Sequence, residues 1–544
     1  MKKITVILIL IITSFIISEV SAQVNQEWIA TYNGIGSGGN YAVKNVIDKF
    51  GNIIVAGRSD SSSEDYIILK YSNSGNLLWS RRYSGIANGT DKIRDIILDD
   101  SANIYVTGLS YEGTLLGGQN WLTIKYNTNG ELIWKQSLDW VGHKSDVPAS
   151  ITLDKNNSVY VTGYGYVGPP PLLKEELVVA KYKSNGVLQW TRSHSSSIAY
   201  SDGGYSVVTD DSNFVYVSGY AFDSILTIKY DESGNTIWER TFFNIEVNYV
   251  VPLFSKIDKQ NNIVVNGFYT VATQDNFVTL KYDRNGNLLW NRIFDSPIGA
   301  QDNAYALDVD DNSNIYVAGR TFTNYYFDVL VVKYAPNGDT LWVKTYDGGN
   351  NSDDLGNSIM IDILGNAYTS GYSKSDITYF DFVTLKYNPG GEVLWTKKYT
   401  NPLVTHGEDI VYGISIDNSN SIIISGTSQL GTNSYGITSI KYSQLTNVPN
   451  NSISIQREFK LYQNFPNPFN PTTSIKYEMP LSAYVLIEIY NVSGVKIQTL
   501  VNENQVSGTY EVKFDGSNLS SGVYFYSLLV NENVLDTKRM VLIK

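Results

Sequence analysis

The chain has no cysteine and only three histidines among its 544 residues. Without thiols there are no disulfides, no thiolate ligands and no cysteine nucleophile. Three imidazoles are too few for a soft-metal cluster. Apolar residues nowhere recur at helical spacing over a useful length. Beyond residue 22 no apolar run is long enough to cross a bilayer as a helix. Positive charge is also scarce: 41 Lys and Arg against 53 Asp and Glu leave a formal net charge of −12. Such a surface repels nucleic acid and anionic lipid, so neither is expected as a partner.

What is present favours strands. Tyr alone accounts for 41 residues, beside many Val, Ile and Thr, the types that suit a pleated surface. Lys2 and Lys3 precede an apolar run from Ile4 to Ile17, and Val20-Ser21-Ala22 forms a small-residue cleavage site. Residues 1–22 read as a secretory signal peptide cut before Gln23. A retained membrane anchor is the alternative, but the run is short for a span.

The rest is organised by a repeat first seen in Asp65 to Gly85, DYIILKYSNSGNLLWSRRYSG. A Lys-Tyr pair closes one apolar run, a turn with Asn and Gly follows, and a Trp stands nine residues after the Lys. The pairs are Lys70/Trp79, Lys125/Trp134, Lys181/Trp190, Lys229/Trp238, Lys281/Trp290, Lys333/Trp342 and Lys386/Trp395. A second pattern recurs eight times, an Asp with a Gly nine residues later, from Asp48/Gly57 to Asp417/Gly426. Each unit thus holds four short strands. A ends at the Asp, B at the Gly, C at Lys-Tyr, and D begins near the Trp. The last unit stops at Lys441-Tyr442 without a D strand, whereas Trp28 stands in an N-terminal D strand with no C before it. An N-terminal strand that completes the eighth unit closes a ring and removes the open edges of a linear array. The expectation is all-β: an eight-bladed propeller over 23–443, a linker over 444–458 and a small Ig-like sandwich over 459–544.

Each marker Asp starts the A–B turn, where its carboxylate can accept amides two residues on. Asp310, Asn312 and Asn314 alternate as in a calcium loop, but Ile315 and Thr321 stand where Gly and Glu are needed. The Trp residues are expected between blades, buried against the next sheet. Length varies mainly between B and C: the Gly-to-Lys spacing runs from 10 to 18 residues. B–C and D–A loops share one face, so that face is varied and the other tight. Binding residues concentrate on varied loops over a rigid scaffold.

Two candidate sites follow. Trp140 stands six residues after Trp134, where other units carry small or polar residues. With Tyr164 and Tyr166 it offers a surface for stacking on a sugar or anchoring a protein; the alternative is that it caps the blade interface. Twelve residues after the Trp stand Asp91, Asp146, Asp202, Asp302 and Asp354, with Asp409 in the longer eighth loop. A ring of carboxylates at a channel mouth would repel and recruit a cation, calcium being suited to oxygen ligands. The alternative is that each Asp bonds loop amides of its own or the adjacent blade. No other cofactor is expected. His143, His194 and His406 fall between D and A, with no partner constellation for catalysis.

From Phe459 short alternating runs give about seven strands. Leu461-Tyr462-Gln463-Asn464, Pro466-Asn467-Pro468-Phe469-Asn470-Pro471, Ile489-Tyr490-Asn491, Gly508-Thr509-Tyr510, Leu519-Ser520-Ser521-Gly522-Val523-Tyr524 and Lys544 resemble the Por-type C-terminal sorting domain of the type IX secretion system. That resemblance implies the secretion machinery as partner, release at or attachment to the outer surface of a Gram-negative cell, and a tail that is typically cleaved. The repeats more loosely resemble the bacterial SBBP-type β-propeller repeats, strand-Asp-x-x-Gly-Asn-strand-Gly; Asp48 to Asn52 and Asp362 to Asn366 carry the form, while Asp154 to Ser158 and Asp210 to Phe214 depart from it. This second family implies architecture and no reaction. Three functions remain: a non-catalytic binding or adhesion module with a glycan or protein ligand, a hydrolase or lyase acting on extracellular glycans, and a surface scaffold.

Overall fold

The computed structural model describes residues 23–445 and 459–544, apart from loop positions 35–37, 61–62, 86–88, 112–117, 141–144, 169–173, 197–200, 243–248, 272–273, 297–300, 324, 350–351, 376–377, 405, 480–482, 506–507 and 531–532. The expected signal peptide and most of the expected linker lie outside the described residues. The chain forms two units, Met1–Asn447 and Val448–Lys544. Every regular element among the described residues is a strand.

Among the described residues the strands of the first unit fall into eight antiparallel sets of four, six as separate sheets and two joined in one eight-stranded sheet. Seven take their strands in chain order, from Asn40–Ile47 through Leu77–Tyr83 in the first to Asp354–Ile361 through Val393–Tyr399 in the seventh. The eighth contains Gly407–Ile416, Ile422–Gly431 and Ser434–Leu445, and takes its fourth strand from the N-terminus. There Gln23–Tyr32 lies antiparallel to Ser434–Leu445, from Gln23 opposite Leu445 to Tyr32 opposite Ile437. Strand A of each sheet packs on strand A of the next, and that of the eighth packs on that of the first. The sheets are therefore blades of a closed β-propeller, with the A strands innermost. A short parallel pair, Tyr379 opposite Gly407 and Phe380 opposite Glu408, also joins blades seven and eight.

The repeat is explained by three local devices. In the first, every marker Asp closes its A–B turn: Asp48 Oδ1 accepts the amides of Phe50 and Asn52, each at 2.9 Å, and Asp310 those of Asn312 and Asn314 at 2.9 and 2.8 Å. The calcium-loop pattern at Asp310 is thus an Asx turn. Tyr316 adds its hydroxyl to Asp310 Oδ2 at 3.1 Å.

The second device joins neighbouring blades. Each repeat Trp reaches the C–D turn of the next blade. Trp28 donates its indole N–H to Asn73 O at 3.0 Å, Trp134 to Ser184 O at 3.0 Å and Trp290 to Pro336 O at 2.9 Å. The Lys of the same blade donates to the same carbonyl, as Lys281 Nζ does to Pro336 O at 3.1 Å. That ammonium is also paired inside its own blade: Lys281 lies 2.8 Å from Asp258, both side chains at most 2% exposed. The Tyr after the Lys meets the Trp of the preceding blade, with ring centroids 6.0 Å apart for Trp290 and Tyr334.

The third device is the turn glycine. Gly338 has φ +85°, and a Cβ there would sit 2.7 Å from the Trp290 indole. Only glycine gives both the left-handed turn and the close approach. Strand D of blade eight comes from the N-terminus, so no C–D turn links it to strand C. Gln444 substitutes, its Oε1 accepting from Lys386 Nζ at 2.5 Å and Trp395 Nε1 at 3.5 Å.

The second unit has seven strands in two sheets, one of three and one of four. Ile475, Tyr477, Ile487, Ile489, Tyr526 and Met540 meet in its core. The Pro-rich lead-in is strapped onto this core. Tyr526 Oη accepts from Asn464 N and donates to Tyr462 O, both at 2.7 Å, and Phe469 N donates to Val541 O at 2.9 Å.

Candidate ligand-binding face

Strand A of every blade carries a bulge just after its start, so one residue in each is turned out of the ladder. Among these are Arg94, Tyr205, Tyr305, Asn357 and Tyr412. Because the A strands form the inner wall, these residues ring the variable-loop end of that wall. Beside them stand the residues that follow the marker Gly on strand B: Arg58, Tyr164, Tyr220, Phe268, Arg320 and Tyr372. An aromatic surface that includes Arg58, Arg94 and Arg320 is thereby built on one face of an acidic protein.

Three clusters occupy it, and two are closed on themselves. At the seam, Arg58 pairs with Glu64 at 3.1 Å and Lys92 with the same carboxylate at 2.6 Å, while the Arg58 guanidinium lies 4.4 Å over the Tyr41 ring. Tyr41 stacks on Tyr435 with centroids 5.3 Å apart. Between blades three and four, Glu175 accepts the hydroxyls of Tyr166, at 2.8 Å, and of Tyr220. The third cluster, on blades six and seven, is open. Its B–C loops carry Tyr325, 87% exposed with φ +83°, and Tyr379, 41% exposed with φ +73°. A bulky residue at positive φ is an outlier held by its surroundings, and such strain collects at functional sites. Tyr379 packs edge-on against Phe380, centroids 4.4 Å apart.

The residues expected from sequence are placed differently. Trp140 is turned into the blade: it packs with Trp121 and Trp134, and a Cβ on Gly165 would come within 2.6 Å of its ring. Gly165 leaves the space that admits the indole, so the interface-capping alternative describes its position. Tyr164 and Tyr166 meet edge to face at 5.9 Å, and Tyr166 is already bonded to Glu175.

The six aspartates are at most 1% exposed, so none faces open water. Each accepts an amide from its own D–A loop: Asp91 from Gly85 at 2.6 Å, Asp146 from Trp140 at 2.7 Å, Asp202 from Ser196, Asp302 from Ser296 at 2.6 Å, Asp354 from Gly348 at 2.6 Å and Asp409 from Asn401 at 2.8 Å. The ring of mouth carboxylates is therefore corrected to a set of loop clasps. Among the described residues one group of three carboxylates, Asp328, Asp347 and Asp354, lies within 4.8 Å. Lys398 Nζ donates to Gly348 O at 2.8 Å beside it and brings positive charge there.

The clasps titrate in opposite directions. Burial pushes Asp354 and Asp409 up to about 6 despite their amide donors. Their charged form then costs stability, absent below pH 3.8 and fully present above about 6. Asp354→Asn and Asp409→Asn keep the acceptor for the loop amide. Each should raise stability at pH 8 by on the order of 2 kcal/mol and change little at pH 4, read from urea midpoints. A loss at pH 8 would show that the carboxylate charge itself is needed.

At Asp202 the sign reverses. Burial would raise its pKa, but His194 and two donors from Ser196 lower it. His194 closes strand D of blade three, with Nδ1 3.1 Å from Asp202 and Nε2 3.0 Å from Glu239. Burial alone would lower the His194 pKa; the Asp202 hydrogen bond and the Glu239 charge outweigh it and raise it above 6.5. With both nitrogens held by carboxylates, this imidazolium is a poor general base. Its contribution is complete below pH 6.5 and is lost as pH rises through the folded value. The wild type should thus lose stability between pH 6 and 9 relative to His194→Gln. Parallel curves would show that the ion triad adds nothing. His406 is exposed, and His143 lies outside the described residues.

A cleft of about 540 Å³ lies on the opposite face, between blades four and five, lined by Lys229, Trp238, Arg240 and Arg284. Its polar groups are used in the blade latch: Trp238 and Lys229 donate to Arg284 O at 3.1 and 2.9 Å, and Arg240 Nε to Gly286 O at 2.8 Å. It is an inter-blade groove.

Comparison with known proteins assigns the tail. Residues 463–544 match the family described as the secretion system C-terminal sorting domain. The second unit is a sorting domain. It marks the chain for the type IX secretion machinery and for the cell surface or secretion, as in bacteria of the Bacteroidetes type. Among the described residues no helix is long and apolar enough to cross a membrane.

The chain is also 23% identical over 525 residues to an uncharacterized WD repeat-containing protein of Acanthamoeba polyphaga mimivirus, covering 71% of this chain and 35% of that protein. It thus spans about a third of that relative's length. In fold it is similar to a polysaccharide lyase, with TM-score 0.41 and 10% identity over 77% of this chain and 99% of the other. A fungal alcohol oxidase in complex with copper gives TM-score 0.38 and 11% identity over 84% and 100%. At these scores neither bears on what the chain does.

Proposed function

We propose that the propeller is a non-catalytic binding module, carried to the cell surface by its sorting domain, and that blades six and seven present the binding face. The observation that carries this reading is Tyr325, 87% exposed and held at φ +83°. A strained aromatic left in water is a cost that a bound ligand can offset. The imidazole of His194 is held on both sides by carboxylates. Glycan and protein arrays test the reading. Tyr325→Gly should weaken the captured ligand by at least about tenfold. The same change should stabilise the fold by roughly 1 kcal/mol, because glycine accepts positive φ. Unchanged binding would remove this loop from the site. Turnover in a panel of glycan hydrolase and lyase assays would overturn the non-catalytic reading.

A further inference from the structure

We propose that the face on blades six and seven takes an acidic saccharide, with the Arg320 guanidinium as its anion receptor. This rests on the binding reading above and names its ligand class. Arg320 Nε donates to Asn303 Oδ1 at 3.0 Å, and Asn303 donates to Asp275 Oδ2 at 3.1 Å. The guanidinium carbon lies 4.0 Å from the Phe327 ring centroid and 5.8 Å from that of Tyr305. The group is therefore anchored at one nitrogen and packed along its plane, which leaves its outer fork pre-positioned.

That fork has no ion-pair partner among the described residues. Five other arginines are engaged: Arg58 pairs with Glu64 at 3.1 Å and Arg82 with Asp65 at 2.5 Å, while Arg81, Arg192 and Arg240 bond carbonyls of the next blade. The carboxylates around Arg320 are occupied. Asp275 accepts from Thr270 at 2.7 Å and from Asn303, and Asp353 accepts the Phe327 amide at 3.1 Å. In a chain with 53 acidic and 41 basic residues, an unpaired guanidinium stays available to an external anion. A planar fork matches a carboxylate or sulfate through two parallel hydrogen bonds. Beside it Tyr305 and Tyr372 are half-buried, and their hydroxyls make no hydrogen bond among the described residues. Phenol rings for the C–H face of a sugar, free hydroxyls for its alcohols and a fork for its acid group suit a uronate or sulfated residue.

Titration calorimetry on the full exported chain tests this with polygalacturonate, its fully methyl-esterified form and dextran sulfate. The acid or the sulfate should bind at least about tenfold more tightly than the ester. Arg320→Ala should weaken that binding roughly ten- to a hundredfold, Arg320→Lys should restore part of it, and Arg284→Ala, on the opposite face, should leave it unchanged. Equal binding of acid and ester overturns the anion receptor while the binding reading stands. Binding of acidic peptides alone overturns the saccharide. If wild type binds no polysaccharide, the inference fails, and blank arrays would sink the binding reading with it. An equal loss in Arg284→Ala would mean a diffuse charge effect and overturn the assignment to Arg320.

Discussion

Removing Gln23–Tyr32 should cost the propeller at least the roughly 3–5 kcal/mol of one large buried aromatic, and its sharp unfolding transition with it. This strand is the fourth of blade eight, paired from Gln23 to Tyr32 along Ser434–Leu445. Val24 packs into the core between blades seven and eight, and Trp28, Ala30 and Tyr32 pack between blades eight and one. Trp28 joins the eighth blade to the turn of the first through Asn73 O at 3.0 Å, beside Lys441, which donates to Asn73 Oδ1. Without it Ser434–Leu445 becomes an edge strand with Ile437 and Ile440 behind it, a template for pairing with another chain. The shortened protein is expected to melt lower and to associate, as measured by calorimetry and size-exclusion chromatography. Removing 448–544 should leave the propeller transition in place, because the core of that unit is made of its own residues. Equal loss from both truncations would contradict closure by the N-terminal strand.

The ring was legible from sequence because its devices are local and repeated. An Asx turn, a Lys-Tyr pair and a Trp at fixed spacing specify one blade each, and the unmatched Trp28 at one end and bare Lys441-Tyr442 at the other reveal the closure. The site was less legible. Trp140 stood out as an extra indole, yet its partner Gly165 is distant in sequence, and only the fold shows that a missing side chain there draws the ring inward. The spacing from the Trp placed the six aspartates just before strand A; Asp91 and Asp146 do precede it, whereas Asp202, Asp302 and Asp354 open the strand and Asp409 is its third residue, and spacing is silent on which way a carboxylate turns. The amide six residues earlier, or eight for Asp409, decided that. The aromatic loops of blades six and seven did carry a signal, Tyr325-Tyr326-Phe327-Asp328 and Tyr379-Phe380-Asp381. In a chain so rich in Tyr, that signal is masked by strand composition. The unpaired state of Arg320 has no sequence mark, because it depends on which carboxylates are already bonded.

Trp290→Ala should cost roughly 3–5 kcal/mol. The indole is 7% exposed and burying it removes about 150–250 Å² from water; at ~25 cal/mol per Å² that is an upper bound of roughly 4–6 kcal/mol. Truncation also leaves Pro336 O with only the Lys281 donor at 3.1 Å and opens a cavity over Gly338. The cavity cannot close cheaply, since Gly338 is fixed at φ +85° by its turn and Tyr334 by its place beside Lys333. Urea midpoints measure the loss. Gly338→Ala is the complementary change: its Cβ would stand 2.7 Å from the same indole in a left-handed turn, so it should destabilise as well. Paired in one chain, the two changes should cost less than their sum, because removing the indole frees the space the methyl needs. A cost below about 1 kcal/mol for Trp290→Ala, or strict additivity of the pair, would mean that the strands alone hold neighbouring blades together and that the Trp-on-glycine contact is incidental.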